Sequence, residues 1–155
     1  MSQNKYMYEA LKLANKAQEI NEVPVGCVIV DIKGELIASG FNTNIRDLDP
    51  TAHAEVNAIR EACIKLNNER LVGCDLYITL EPCIMCTSTL ILHGIRRVVF
   101  GALDQEGGGR FILDHLPPYY SESTIHWIGP VDPNTYDPLY LRALERFEKL
   151  PCGCP

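Results

Sequence analysis

Between residues 5 and 20, Met7, Ala10, Leu11, Ala14 and Ala17 recur at helical spacing and fall on one face. The pattern then changes. Residues 23–32 (VPVGCVIVDI) are largely apolar and read as a strand, Lys33–Gly34 as a turn, and residues 35–40 as the returning strand of a hairpin. Residues 41–51 (FNTNIRDLDPT) are polar, lack periodicity and contain Pro50, which predicts a loop. Helical spacing returns over residues 52–66, with Val56, Ile59, Cys63 and Leu66 as the apolar face and Asp49 or Thr51 as the cap. Residues 75–80 (DLYITL) form a strand broken by Glu81–Pro82, residues 83–94 a helix closed by Gly94, and residues 96–102 another strand. A strand–helix–strand run this short fits a right-handed parallel crossover.

Beyond Gly101 the pattern weakens. Residues 105–110 (QEGGGR) read as a flexible loop, 117–123 as irregular chain, 125–128 as a fifth strand, and 137–150 as a closing helix. No repeat, linker or boundary interrupts the chain, so residues 1–155 are expected to form a single domain. The order α-β-β-α-β-α-β, followed by β and α, describes an α/β protein, a three-layer sandwich with a mixed sheet.

Composition narrows the class. With 46% hydrophobic and 22% charged residues, the chain has the makeup of a protein with a real core rather than of a disordered one. No apolar run approaches the roughly 20 residues of a membrane span, and the N-terminus lacks the apolar stretch of a signal peptide. A cytoplasmic protein without a membrane partner is expected. The formal net charge of −6 repels a phosphate backbone on average and weighs against avid nucleic-acid binding.

The seven cysteines are odd in number and show no framework spacing, so metal ligation or burial is expected before disulfides. Cys27, Cys63 and Cys74 suit packing, whereas Cys152 and Cys154 belong to a frayed tail. His93, His115 and His126 have no partner at ligand spacing.

Two short motifs carry the chemistry: His53-Ala54-Glu55 and Pro82-Cys83-Ile84-Met85-Cys86. Each stands at the start of a predicted helix, where the helix dipole favours the thiolate that a metal needs. One imidazole and two thiolates leave the fourth position of a tetrahedral zinc open to water, the arrangement of catalytic rather than structural sites. Zinc brings the pKa of that water to about 7. The thiolate-rich set favours zinc over iron. Glu55 shares the first helical turn with His53 and is placed to carry protons rather than to ligate. A thioredoxin-like pair would also use Cys-x-x-Cys, but it leaves His53 and Glu55 without a role.

His-x-Glu followed by Pro-Cys-x-x-Cys is the signature of zinc nucleobase deaminases. On these motifs the chain resembles the cytidine deaminase-like superfamily, in the branch of bacterial tRNA adenosine deaminases and guanine deaminases. The resemblance covers roughly residues 5 to 104. EVPVGCVIV, TLEPCIMC and RRVVFGA are similar to the tRNA enzymes, DPTAHAEVNAIREAC to guanine and guanosine deaminases, and MCTSTLILHGI to cytosine and deoxycytidylate deaminases. The resemblance implies a five-stranded mixed sheet flanked by helices and a homodimer whose partner helps close the pocket. It also implies zinc on His53, Cys83 and Cys86, and Glu55 as proton shuttle. Asn42 would hydrogen-bond the substrate base, and the backbone at Ala54 would contact the ring.

The departures bear on substrate. Thr87-Ser88-Thr89 stands where purine deaminases have a small-residue stretch, which either reshapes the pocket or is taken up on the buried side of the helix. From Phe111 onward, Arg142, Arg146 and Lys149 face six acidic residues, few cations for a tRNA footprint. Asp114 is the nearest counterpart to the acidic substrate-binding segment of guanine deaminases. The expected function is therefore zinc-dependent deamination of a small nucleobase, nucleoside or related amino-heterocycle, of guanine or purine type. The alternatives are a tRNA wobble-adenosine deaminase, a cytosine or deoxycytidylate deaminase, and an inactive zinc-binding module.

Overall fold

The computed structural model describes residues 3–120 and 122–149; Cys152 and Cys154 lie outside them. Strand β1 (Gly26–Val30) is buried along its whole length, which explains its unbroken apolar sequence. It pairs antiparallel with β2 (Leu36–Phe41) on one side and with β3 (Asp75–Leu80) on the other. β3 pairs parallel with β4 (Arg97–Ala102), and β4 parallel with β5 (His126–Ile128). The result is a five-stranded mixed sheet of order β2-β1-β3-β4-β5.

Helices cover both faces. Helices α1 (Gln3–Glu19) and α5 (Pro133–Lys149) cover one, where Met7, Ala14, Val28, Tyr77, Val99 and Leu139 share an apolar cluster. Helices α3 (Ala54–Leu66) and α4 (Ile84–His93) cover the other, with Cys27, Ile29, Ala58, Ile78, Leu90 and Phe100 in a second cluster. Successive strand residues alternate between the two clusters because the pleat has a period of two. The expected three-layer α/β/α sandwich is present.

Glycines set how closely the layers approach. A Cβ at Gly26 would lie 2.4 Å from the backbone of Ala10 and Ala14, and one at Gly40 would lie 2.1 Å from the Ala54 carbonyl oxygen. Backbone therefore meets backbone at both places.

The structure differs from the sequence reading in several elements. Within the expected loop 41–51 lies a short helix, α2 (Asn44–Asp47), whose Ile45 and Arg46 N–H groups donate to the buried Glu22 carboxylate. Four residues are too few to show a period. The N-cap of α3 is His53, not Asp49 or Thr51; Asp49 accepts from the backbone and hydroxyl of Thr51 instead.

The buried face of α3 holds Val56 and Ile59 as expected, but also Ala58 and Ala62, while Cys63 is half-buried and Leu66 is exposed. The close approach at Gly40 selects small residues there. Residues 105–110 are not a loose loop. Gly108 bridges Cys83, Gly109 N–H donates to the Pro82 carbonyl at 2.8 Å, and the Glu106 and Gly107 N–H groups donate to Asp104. Helix α5 begins at Pro133 rather than Asp137, since proline suits a first helical turn, and it carries Pro138 inside. Among the described residues no helix is long and apolar enough to cross a membrane.

Candidate active site

Several chain segments converge at one edge of the sheet. β3 ends at Leu80, and Glu81–Pro82 carries the chain into α4. Because β1 runs antiparallel to β3, the residues that lead into β1 arrive at the same edge, where Gly26 N–H donates to Thr79 Oγ1. The end of β2 delivers Asn42, the start of α3 His53 and Glu55, and the end of β4 Asp104. A cleft lies among them, lined also by Val23, Val25, Leu80 and Glu81.

His53 and Cys83 are the N-cap residues of α3 and α4, both in extended conformation, and neither makes a side-chain cap hydrogen bond. A usual N-cap side chain turns back to a free N–H of the first turn. Here the side chains turn toward each other. The Ala54 N–H donates instead to Asn42 Oδ1 at 2.8 Å. That bond leaves the Asn42 amide hydrogens as the donors available at the cleft. It also occupies the Ala54 donor, so the expected contact of the Ala54 backbone with a ring cannot use that N–H.

His53 Nδ1 lies 3.7 Å from Cys83 Sγ and 3.5 Å from Cys86 Sγ. A tetrahedral zinc with ordinary Zn–S and Zn–N lengths separates its sulfur and nitrogen ligands by about 3.6 Å. The three atoms thus fit the ion. All lie within 4.8 Å of one another, and this is the only such group among the described residues.

Electrostatics favours the same occupant. Hydrogen bonds from Cys86, and then from His53, hold the Cys83 thiol down to about 4, so it is a thiolate at neutral pH. The hydrogen bond that Cys86 makes to Cys83 pushes the Cys86 thiol upward, and burial and the charges of Glu55 and Cys83 add to the shift. The bond to Cys83 also raises His53. A divalent cation removes the conflict between the two thiolates. Beside them Glu55 is buried, and that burial pushes its carboxyl up to about 7, against the pull of His53. A carboxyl in that range exchanges protons near neutral pH.

Thr87-Ser88-Thr89 does not line the cleft. Thr87 is fully buried with Oγ1 donating to Pro82 O, while Ser88 and Thr89 bond back to the carbonyls of Ile84 and Met85. Gly109 makes the room, since a Cβ there would lie 2.2 Å from Thr87 Oγ1. Asp114 is exposed and paired with Arg110, outside the cleft. Sequence reading missed Glu81, taken as a strand breaker, and Asp104, taken as loop. Their signal was position alone: each directly follows or closely trails a strand that ends at the site.

A mixed sheet that presents an imidazole, two thiolates and a buried carboxyl at two adjoining helix starts defines a zinc-dependent hydrolytic deaminase. Residues 1–102 match the model of the cytidine and deoxycytidylate deaminase zinc-binding region, and the chain belongs to that family. It is 50% identical over 109 residues to the tRNA-specific adenosine deaminase of Aquifex aeolicus, covering 70% of this chain and 72% of that one. It is also 50% identical over 103 residues to the Bacillus subtilis protein of the same name, covering 66% of this chain and 63% of that one, less than two-thirds of its length. A solved structure from work on A-to-I editing by tRNA:A34 deaminases superposes with a TM-score of 0.80 at 36% identity, over 88% of this chain and 99% of that one.

These likenesses overturn the expectation of a free nucleobase or nucleoside of guanine type as substrate. The relatives at 50% identity are named for a tRNA adenosine. The expectation rested on net charge and an acidic C-terminal segment, which average over the whole surface. RNA contacts are local.

Proposed function

We propose that this protein deaminates an adenosine held in a tRNA, at the wobble position of the anticodon, converting it to inosine with release of ammonia. The observation that carries the reading is the likeness to the tRNA:A34 deaminase structure, which covers 88% of this chain at 36% identity. His53 Nδ1, Cys83 Sγ and Cys86 Sγ are the zinc ligands in this reading. When bound, zinc supplies an activated water at neutral pH.

Glu55 would shuttle both protons of the attacking water on a carboxylate oxygen: the first to the ring nitrogen beside the amino-bearing carbon, and the second, from the oxygen newly bound to that carbon, to the departing amine. The elements of water are consumed, the carbon–nitrogen bond to the amino group breaks, and a carbonyl remains. Asn42 donates its amide N–H to an acceptor on the base, held in place by the bond from Ala54 N–H to its oxygen.

The protein acts in this reading as a cytoplasmic homodimer. Ile84 and Leu92 on α4, and Phe111, are about half exposed, apolar surface that a partner subunit would cover. Mass measurement in solution tests the dimer.

The substrate is tested by ammonia release from the zinc-loaded protein. The panel is an adenosine-bearing anticodon stem-loop alongside free adenosine, adenine, guanine, guanosine, cytosine and deoxycytidylate. Turnover of the stem-loop with the small molecules inert is expected. Turnover of a free base with the stem-loop inert would overturn the reading.

A further inference from the structure

Glu81 is a second buried carboxylate at the cleft, only 4% exposed, and the proton-transfer chemistry does not use it. No ion-pair partner faces it among the described residues. Its acceptor capacity is spent on donors from separate segments. Oε1 accepts the Trp127 Nε1–H of β5 at 3.3 Å and Oε2 accepts the Asp104 N–H at 3.2 Å, while the Arg110 backbone N–H is near enough to favour the charged carboxylate. A buried carboxylate without a counter-ion is costly unless fixed donors surround it.

Asp104 opens a segment, residues 104–110, that is held to the metal helix at its far end by the Gly108–Cys83 bridge and the bond from Gly109 N–H to the Pro82 carbonyl. Leu103 and residues 105–107 are exposed, and the Asp104 carboxylate is turned back on the N–H groups of Glu106 and Gly107. Gly108 lies so close to the carboxylate that a Cβ there would stand 2.6 Å from Glu81 Oε2. Glu81 itself stands directly before Pro82–Cys83, so its backbone is tied to the metal helix. One side chain thus couples the start of the metal helix to Asp104, which also lines the cleft.

We propose that Glu81 is a positioning residue that holds residues 104–110 in register with the His53–Cys83–Cys86 triad, so that this segment meets the substrate at a fixed distance from the metal. The proposal rests on the deaminase reading of the cleft.

The test uses zinc-loaded Glu81→Gln and Glu81→Ala. Readouts are hydrogen exchange at the Asp104 and Arg110 amides, zinc content, and kcat and KM on the adenosine-bearing stem-loop. Glu81→Gln is nearly isosteric, but it sets an NH2 against a backbone donor. It is expected to speed exchange at both amides about tenfold and to raise KM by about as much, with kcat within roughly threefold and zinc retained. Glu81→Ala should go further in the same direction; if it fails to fold, Glu81→Gln still decides. Unchanged exchange at both amides in Glu81→Gln overturns the proposal. A fall in kcat with KM unchanged also overturns it, because it would place Glu81 on the reacting groups. Wild-type protein inert on the stem-loop would count against the tRNA reading alone, and the exchange data would then decide Glu81 without it.

Discussion

Asn42 does two jobs with one amide. Its oxygen satisfies the Ala54 N–H that the cap residue His53 leaves open, and its nitrogen faces the cleft. Asn42→Asp keeps the acceptor and removes the donor, whereas Asn42→Ala removes both. Urea denaturation should show Asn42→Asp near wild-type stability and Asn42→Ala lower by about 1–3 kcal/mol, the cost of a buried unpaired N–H. Both should lose turnover. Equal stability losses in the two variants would mean that the cap bond is not what Asn42 contributes. Glu55→Gln should retain its zinc and lose turnover by about 10²-fold or more, since the amide cannot carry a proton between water and ring nitrogen. Full activity in that variant would end the shuttle assignment.

His53, Cys83 and Cys86 were legible in the sequence because metal ligands must be particular residue types at particular spacings, and Glu55 because it shares the first helical turn with His53. Glu81 and Asp104 were not. Any residue with a carboxylate can serve as an acceptor, so nothing in their local sequence marks them.

Among the elements, β3 and α4 follow directly from their apolar runs, and the structure matches each within a residue; β1 is also present but starts at Gly26, three residues later than its apolar run. The buried face of α3 was read too far toward large residues. Leu66 fits the period but is exposed, whereas Ala58 sits where Gly40 brings β2 against the helix and Ala62 is fully buried. Gly40→Ala should therefore push α3, and with it His53 and Glu55, off β2. The expected loss is about 1–3 kcal/mol of stability by thermal or urea unfolding, the usual cost of overpacking. Wild-type stability in this variant would show that the layers can separate freely. The loop 105–110 was misread for a related reason: three glycines suggest freedom in isolation, but here they permit close contact with Cys83, Thr87 and Glu81.

Over the whole molecule, burial holds several acidic protons in place. The Cys27 thiol and the Tyr77 and Tyr136 hydroxyls are all pushed above their ordinary values, 9.0 for the thiol and 10.0 for the phenols, chiefly by burial. The unfolded chain loses these protons at the ordinary values, before the folded chain does, and deprotonation then favours unfolding. Stability from these groups is full below about pH 9 and drains away as pH climbs through the raised folded values. Melting temperatures between pH 8 and 11 should fall, and Tyr136→Phe should flatten the upper part of that fall. A melting temperature constant to pH 11 would contradict it.

The sequence by itself determined the sandwich, the metal-binding triad and the class of reaction. Apolar periodicity and ligand chemistry are local properties that survive being written as a string. It did not determine which substrate the cleft takes, and reasoning from net charge pointed the wrong way because charge summed over a chain ignores where each group lies. Only the tertiary structure decided that His53 caps α3, that Asn42 completes that cap, and that Thr87 is absorbed against Gly109. It also decided that the Glu81 carboxylate accepts from the Asp104 N–H beside the cleft. Each of these depends on segments distant in the chain meeting at the edge where β1 and β3 run antiparallel, and a contact between distant segments leaves no period or spacing to read.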